Sequence, residues 1–205
     1  MKRYMSFKSA AVFMVAYLVL LDLSLQFGHR FVELLLPVYR WEIGKLMPDY
    51  QILNLALQDK RGEEMVALNL KLVHYIVVEG HMIFSGGHIS SSTLAGHSLQ
   101  NAVLMLSLVA AWPANIKRRS LMLIAALPIL LAVEMLDTPL MLSGSINDLI
   151  LANIAPDASS ITVYWMHFLD GGGRLALSIA GALLSIGISR NFSRDISAAP
   201  LSMPE

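Results

Sequence analysis

Residues 120–142, SLMLIAALPILLAVEMLDTPLML, form an apolar run of the length that crosses a membrane as a helix. A helix rises about 1.5 Å per residue, so about 20 residues cross a hydrocarbon core of about 30 Å. Two carboxylates, Glu134 and Asp137, interrupt the run. Ionisable side chains inside a membrane segment need a partner or a function. The stretch therefore predicts both a transmembrane helix and a polar site within it.

The composition of the whole chain agrees with a membrane protein. Of its 205 residues, 56% are hydrophobic and 15% are charged, against about 45–50% and about 25% in soluble domains. Fifteen Lys and Arg balance fifteen Asp and Glu, which excludes a basic nucleic-acid-binding domain. The absence of cysteine excludes disulfides, thiolate catalysis and cysteine-bound metals.

Four apolar runs predict four transmembrane helices. Their ranges are 9–27, 96–113, 120–142 and 161–188. Basic residues precede the first run, join the second to the third and follow the fourth; they are Lys2, Arg3, Lys8, Lys117, Arg118, Arg119, Arg190 and Arg194. Because cytoplasmic loops are enriched in Lys and Arg, we expect residues 1–8 and the disordered tail 189–205 to be cytoplasmic in a bacterial inner membrane. The loop 143–160, which lacks Lys and Arg, is then outside.

Residues 28–95 are predicted to form a small outer domain. The segment 31–47 is too polar to span a membrane, and its pattern predicts an amphipathic helix at the interface, kinked at Pro37. Residues 51–78 alternate with period two around Asp59-Lys60-Arg61-Gly62, which predicts a β-hairpin. Residues 80–95 predict a loop that returns to the bilayer. The expected fold is an all-α membrane protein of four transmembrane helices, with a helix and a hairpin inserted between the first two.

The polar side chains of the spans are predicted to lie in one layer near the outer membrane edge. Glu134 and Asp137 share one helical face, and His167, Asp170 and Arg174 share another. We expect the two faces to meet, so that Arg174 pairs with Glu134 or Asp170. Glu134, Asp170 and Arg174 would then form a structural intramembrane network. The run 171–173, three glycines, predicts a local break or a close helix approach beside it.

The same layer could instead be a functional pocket. Its candidate catalytic residues are His97, Glu134, Asp137, His167 and Asp170. Metal-ligand candidates are His81, His88, His97 and His167, although their spacing matches no established ligand pattern. The sequence assigns no cofactor.

The order of the segments resembles that of the small accessory membrane proteins that accompany exosortases, which are membrane transpeptidases. In exosortases a Cys, an Arg and a His lie at the outer ends of three successive spans, and here His167 matches the His position. The Cys position is occupied by His97-Ser98, and the Arg position falls near Asp137. The resemblance therefore implies an exosortase-like scaffold without the cysteine mechanism.

A second resemblance is to membrane acid phosphatases of the phosphatidic-acid type. It rests on Ser85-Gly86-Gly87-His88 or Gly96-His97, followed by His167-Phe168-Leu169-Asp170. The Ser-Arg pair of that family is missing at the end of the third span, and a phosphate pocket needs several cations.

Two functions remain open from the sequence. The first is a non-catalytic accessory or assembly subunit that docks a membrane-protein partner, or a second copy of itself, through its outer domain and spans. The second is a membrane-embedded enzyme or metal-binding protein with a His and carboxylate site. A small transporter ranks last, because one charged layer gives no continuous polar path across the bilayer.

Overall fold

The computed structural model describes residues 7–198, which form a mostly helical protein with a small β region. The helices are α1 (Phe7–Leu46), α2 (Ala95–Ala111), α3 (Ile116–Ile154), α4 (Ile161–Phe168) and α5 (Arg174–Ala198), with a π-helical turn (Leu169–Gly173) between the last two. The strands are β1 (Tyr50–Lys60), β2 (Glu63–Leu72), β3 (Ile76–Val78), β4 (His81–Ile83) and β5 (His88–Leu94).

Three helices are long and apolar enough to cross a membrane, which is compatible with an integral membrane protein. They are Phe7–Leu46, Ile116–Ile154 and the kinked helix Ile161–Arg190. The fourth predicted span corresponds to α2, an apolar helix of 17 residues. At about 1.5 Å per residue, α2 is about 26 Å long and thus slightly shorter than a typical hydrocarbon core.

The first predicted span and the predicted interfacial helix are one continuous helix, α1, of 40 residues. At about 60 Å, α1 is about twice as long as the hydrocarbon core is thick. Gly28 does not end the helix, because it packs against α2: an added Cβ would lie 2.6 Å from Leu99 Cδ1. Pro37 is also accommodated within the helix. It leaves the carbonyl of Glu33 without its helical donor, and both residues lie on the exposed side.

A hairpin forms around the predicted turn and belongs to a three-stranded antiparallel sheet of order β1-β2-β5. It covers residues 50–72 and not 51–78, because β3 pairs with β4 in a separate two-stranded sheet. Its turn has positive φ at Arg61 (62°) and Gly62 (82°), and the Gly62 N–H donates to Asp59 Oδ1 over 2.9 Å. The predicted loop 80–95 instead contains β4 and β5. Its serines lie on alternating sides of β5, where Ser90, Ser91 and Ser92 pair with β2. Polar residues thus form a strand here because a neighbouring strand supplies the backbone partners.

Two apolar cores stack along the molecule. One joins the second half of α1, the sheet and the end of α3, and its buried members include Val32, Ile43, Leu68, Leu142 and Ile146. We call this part, residues 28–94 with 142–154, the sheet domain. The other core lies among α2, α3 and α5, and its buried members include Met105, Val109, Met122, Ala126 and Ile186. We call this part the helix bundle.

Helices α3 and α5 run further than the sequence predicts. The expected loop 143–160 is helical up to Ile154, and the expected tail 189–205 is helical up to Ala198. Gly144 makes the first extension possible, because it lets α4 pack directly on α3: an added Cβ would lie 2.5 Å from Thr162 O and 2.8 Å from Met166 Cβ. The predictions for residues 1–6 and 199–205 lie outside the described residues.

Candidate functional site

Arg174 is the centre of a polar network between the helix bundle and the sheet domain. Its Nε donates to Asp137 Oδ1 over 2.9 Å, and its Nη1 donates to Asp170 Oδ1 over 3.1 Å. The expected pair between Arg174 and Asp170 is therefore present. The expected alternative with Glu134 is replaced by a pair with Asp137, one helical turn further along α3.

The amide of Asn101 extends the network from α3 to α2 and α5. Asn101 Nδ2 donates to Asp137 Oδ2 over 2.7 Å, so both oxygens of this carboxylate are occupied. The Ser178 hydroxyl donates to Asn101 Oδ1 over 2.9 Å. The Asn101 amide group and its carbonyl oxygen thus each have a hydrogen-bond partner, one on α3 and one on α5. Buried polar groups in proteins are usually paired in this way.

Glu134 belongs to a second branch of the network, which reaches α1. The Tyr39 hydroxyl donates to Glu134 Oε2 over 2.8 Å and lies 3.2 Å from Ser98 Oγ. Ser98 Oγ in turn lies 2.9 Å from Thr138 Oγ1. Tyr39 is fully buried in the core of the sheet domain. This branch therefore fastens the sheet domain to the helix bundle.

The network is closed to solvent except at Asp170. Glu134 and Asp137 are 0% and 1% exposed, and Arg174 is 7% exposed. The Asp170 side chain is 49% exposed. Two buried polar atoms of this site, Glu134 Oε1 and Arg174 Nη2, have no hydrogen-bond partner within the described part of the chain. We call the nine residues of these two branches the polar network; they are Tyr39, Ser98, Asn101, Glu134, Asp137, Thr138, Asp170, Arg174 and Ser178.

The glycine run creates the local geometry around Arg174. As the sequence predicts, the helix is broken there: Gly172 has φ +105°, inside the turn that joins α4 to α5. Gly173 lies under the Phe168 ring, where an added Cβ would be 2.5 Å from Phe168 Cε1. The break begins a new helix at Arg174 while keeping Asp170 within reach of its guanidinium.

The structure does not bring the candidate metal ligands together. His81, His88 and His167 are exposed, and they lie on β4, β5 and α4. His97 is half-buried, with its Nδ1 3.3 Å from Thr93 Oγ1. Within residues 7–198 no group of three or more His, Asp or Glu side chains could hold a metal ion.

Five members of the polar network were not among the sequence-predicted candidates: Tyr39, Ser98, Asn101, Thr138 and Ser178. Ser98 and Asn101 are three residues apart on α2, and Ser178 lies four residues after Arg174. Their spacing is therefore the same signal that identified the charged residues. Tyr39 gives no such signal, because it continues the apolar stripe of Val32 and Ile43.

The chemistry available to this arrangement is ion pairing and hydrogen bonding between fixed groups. Only Asp170, beside the half-buried His97, offers a carboxylate that solvent or a ligand can reach. Searches of this chain against family models, curated proteins and solved structures find no match.

Proposed function

We propose that this protein is a non-catalytic accessory or assembly subunit of a bacterial inner-membrane complex. It docks a partner through its sheet domain and spans. The observation that carries the proposal is a group of exposed apolar side chains at the β3–β4 hairpin, which we call the hairpin tip. Its members and their exposed fractions are Tyr75 (64%), Val77 (58%), Met82 (55%) and Phe84 (75%).

The position of the hairpin tip argues against lipid as its natural neighbour. One end of the sheet is close to the predicted end of the first span, where His29 Nδ1 lies 2.9 Å from Glu64 Oε1. At the other end, the Tyr50 N–H donates to the carbonyl of Met47, just after α1. From residue 29 to residue 46, α1 extends about 25 Å. The tip continues from this far end, since Leu72 N donates to Gly87 O at its base.

Large apolar side chains exposed to water at such a distance from the bilayer indicate a protein interface. Aromatic residues are enriched at such interfaces, and Tyr75 and Phe84 are the two aromatic members of the tip. The occupant that fits is an apolar groove on the outer domain of a different membrane protein. The edge strand β1, which has β2 as its strand neighbour, offers backbone groups beside it for strand addition.

The membrane topology proposed here has four spans, with α2 as the fourth and both termini in the cytoplasm. Its support is the positive-inside rule applied to the basic loop 117–119. Since α2 begins directly after β5 and ends before that loop, it crosses between the two sides if α1 and α3 do. A cysteine-accessibility scan with a membrane-impermeant reagent tests this: Lys117→Cys must be protected and Asp157→Cys labelled in intact cells.

The partner interface is tested by crosslinking in native membranes. Tyr75→Ser with Phe84→Ser removes the two aromatic groups of the tip. Leu149→Ser is the matched control, because Leu149 is also exposed (50%) and lies on α3 rather than on β1 or the tip. We expect one crosslinked complex that is at least ten-fold weaker in the tip variant and unchanged in the control.

Three results would contradict the proposal. The tip variant could retain the complex, the control could lose it to the same extent, or mass measurement could show a dimer of identical chains. Each would remove the argument that the tip binds a different membrane protein.

The second candidate is a membrane-embedded enzyme or metal-binding protein. One observation favours it: the accessible Asp170 carboxylate and the unpaired Arg174 Nη2 lie in a site whose charges also act on His97. Metal analysis and activity screening of the wild type, His97→Ala and Asp170→Asn would separate the two functions. A metal content or an activity that both variants abolish, without loss of folding, supports this candidate over the first.

A further inference from the structure

A large cavity lies at the end of the helix bundle opposite the sheet domain. Its volume is about 1080 Å³, and it is a half-open cavity lined by the first turns of α1, the α2–α3 connection and α5. Three arginines line it, Arg118, Arg119 and Arg190. Apolar side chains form much of the remaining wall, among them Phe13, Leu108, Ile179, Leu183 and Ile186. One cavity thus combines a cationic rim with an apolar interior.

The arginines of this cavity have no anionic partner among the described side chains. All ion pairs among the described side chains involve His29 or Arg174. None of them involves Arg118, Arg119 or Arg190. The Nε atoms of Arg118 and Arg119 are buried and make no hydrogen bond with any described residue. Buried donors without an acceptor are costly, by about 1–3 kcal/mol per group. A bound anion would supply the missing acceptors.

The beginning of α3 adds to the positive potential of the cavity. Asn115, the N-cap residue of α3, and Arg118, in its first turn, both line the cavity. A long helix carries roughly half a positive charge at its N-terminus. This dipole and the three guanidinium groups therefore favour the same sign of ligand.

The depth of the cavity matches the headgroup layer of a bilayer. Arg119 and Asp137 lie 18 residues apart on α3, or about 27 Å along the helix. This distance is close to the thickness of the hydrocarbon core, about 30 Å. The arginines thus lie at one membrane surface when the polar network lies at the other. The apolar wall, with Ile179 40% and Leu183 56% exposed, continues from the arginines toward the acyl chains.

We infer that this cavity binds one anionic phospholipid, with its phosphate held by Arg118, Arg119 and Arg190 and its acyl chains along α5. Arginine forms two parallel hydrogen bonds with phosphate, and basic pockets between transmembrane helices on the cytoplasmic side bind anionic headgroups. A freely soluble phosphate would leave the apolar wall unused, so the charge and the wall together select a lipid. The inference is independent of the partner interface proposed above.

The first test is lipid selectivity in nanodiscs that contain phosphatidylcholine with one fifth phosphatidylglycerol. Native mass spectrometry of the released protein measures which lipid is retained. We expect at least ten-fold enrichment of phosphatidylglycerol in the wild type and loss of this enrichment in Arg118→Gln with Arg119→Gln. Lys117→Gln is the matched control, because Lys117 is exposed, adjacent in sequence and outside the cavity lining. It removes a positive charge without touching the site.

The second test needs no arginine variant, so it remains decisive if the arginine variants misfold. Trp112 lines the cavity, and its fluorescence is isolated as the signal that disappears in Trp112→Phe. Brominated phosphatidylglycerol should quench this signal more strongly than brominated phosphatidylcholine does, and inorganic phosphate at millimolar concentration should not relieve the quenching.

Equal quenching by both lipids overturns the inference, and so does equal loss of selectivity in Lys117→Gln. Relief by inorganic phosphate shows a soluble-anion site and overturns the choice of a lipid.

Discussion

The ion pair between Arg174 and Asp137 gives the sharpest prediction for stability. The Arg174 and Asp137 side chains are 8% and 1% exposed, and the Nε–Oδ1 distance is 2.9 Å. Removing one partner of a buried ion pair costs about 3–5 kcal/mol, and Asp137→Leu leaves the buried Arg174 guanidinium with the half-exposed Asp170 as its remaining carboxylate partner. We therefore expect Asp137→Leu to lower the free energy of unfolding by about 3–5 kcal/mol. Since 1.4 kcal/mol is ten-fold in an equilibrium constant, this is roughly two to four powers of ten.

The double variant Asp137→Leu with Arg174→Met distinguishes the pair from its surroundings. It removes both charges, so the remaining cost is the Asn101 Nδ2 donor that loses its acceptor, about 1–3 kcal/mol. The double variant should thus be more stable than Asp137→Leu alone. Asp170→Asn is the control: its side chain is 49% exposed, and pairs of this kind contribute about 0–1 kcal/mol.

The assay is unfolding in mixed micelles of increasing sodium dodecyl sulfate content, followed by far-UV circular dichroism. Two outcomes would refute the reasoning. Additive costs in the double variant would show that the two residues act separately. A cost for Asp170→Asn as large as that for Asp137→Leu would show that the exposed carboxylate, and not the buried one, compensates Arg174.

Three further predictions use the same unfolding assay. Gly144→Ala should destabilise the protein by about 1–3 kcal/mol, because the new methyl group overlaps the α4 backbone. Gly187→Ala is the control: it meets no described atom within 4 Å and should stabilise the protein by up to about 1 kcal/mol. Equal effects of the two substitutions would contradict the packing of Gly144 against α4. Gly172→Ala should cost about 1–3 kcal/mol for its φ of +105°, whereas Gly171→Ala, also without neighbours within 4 Å, should not. Tyr39→Phe should cost about 1–3 kcal/mol, because it leaves the Glu134 carboxylate without its donor; a neutral result would show that this hydrogen bond does not stabilise the fold.

Local chemistry made much of the fold predictable. The turn at 59–62 follows from Asp59 and Gly62 alone, and the glycine run predicts the break at Gly172. The extension of strands into 80–95 was not predictable from its serines, because β5 forms by pairing with a strand already in place. The continuity of α1 through Gly28 depends on its contact with Leu99 on another helix. Neither cause is visible in a single stretch of sequence.

The charged residues of the candidate site could be predicted from the sequence, but the pairs that they form could not. Helical spacing placed Asp137, Asp170 and Arg174 on two faces that meet, as the structure has them. Which carboxylate accepts from Arg174 depends on the axial offset between α3 and α5, and a single sequence does not contain that offset. Tyr39 was missed because its ring belongs to an apolar core while its hydroxyl serves the network.

The division of the sheet-domain core between α1, the strands and the end of α3 has a consequence for biogenesis. All five strands are encoded before residue 95, yet Leu142, Ile146 and Ile150, which close their core, lie on α3 and are synthesised only after α2. A nascent chain that has not yet reached α3 therefore carries all five strands while one apolar wall of their core is missing. Helix α3 brings both that wall and the Glu134 carboxylate that accepts from Tyr39. The core of the sheet domain is thus completed only once α3 has been synthesised, and a chain that stops earlier leaves an apolar surface uncovered.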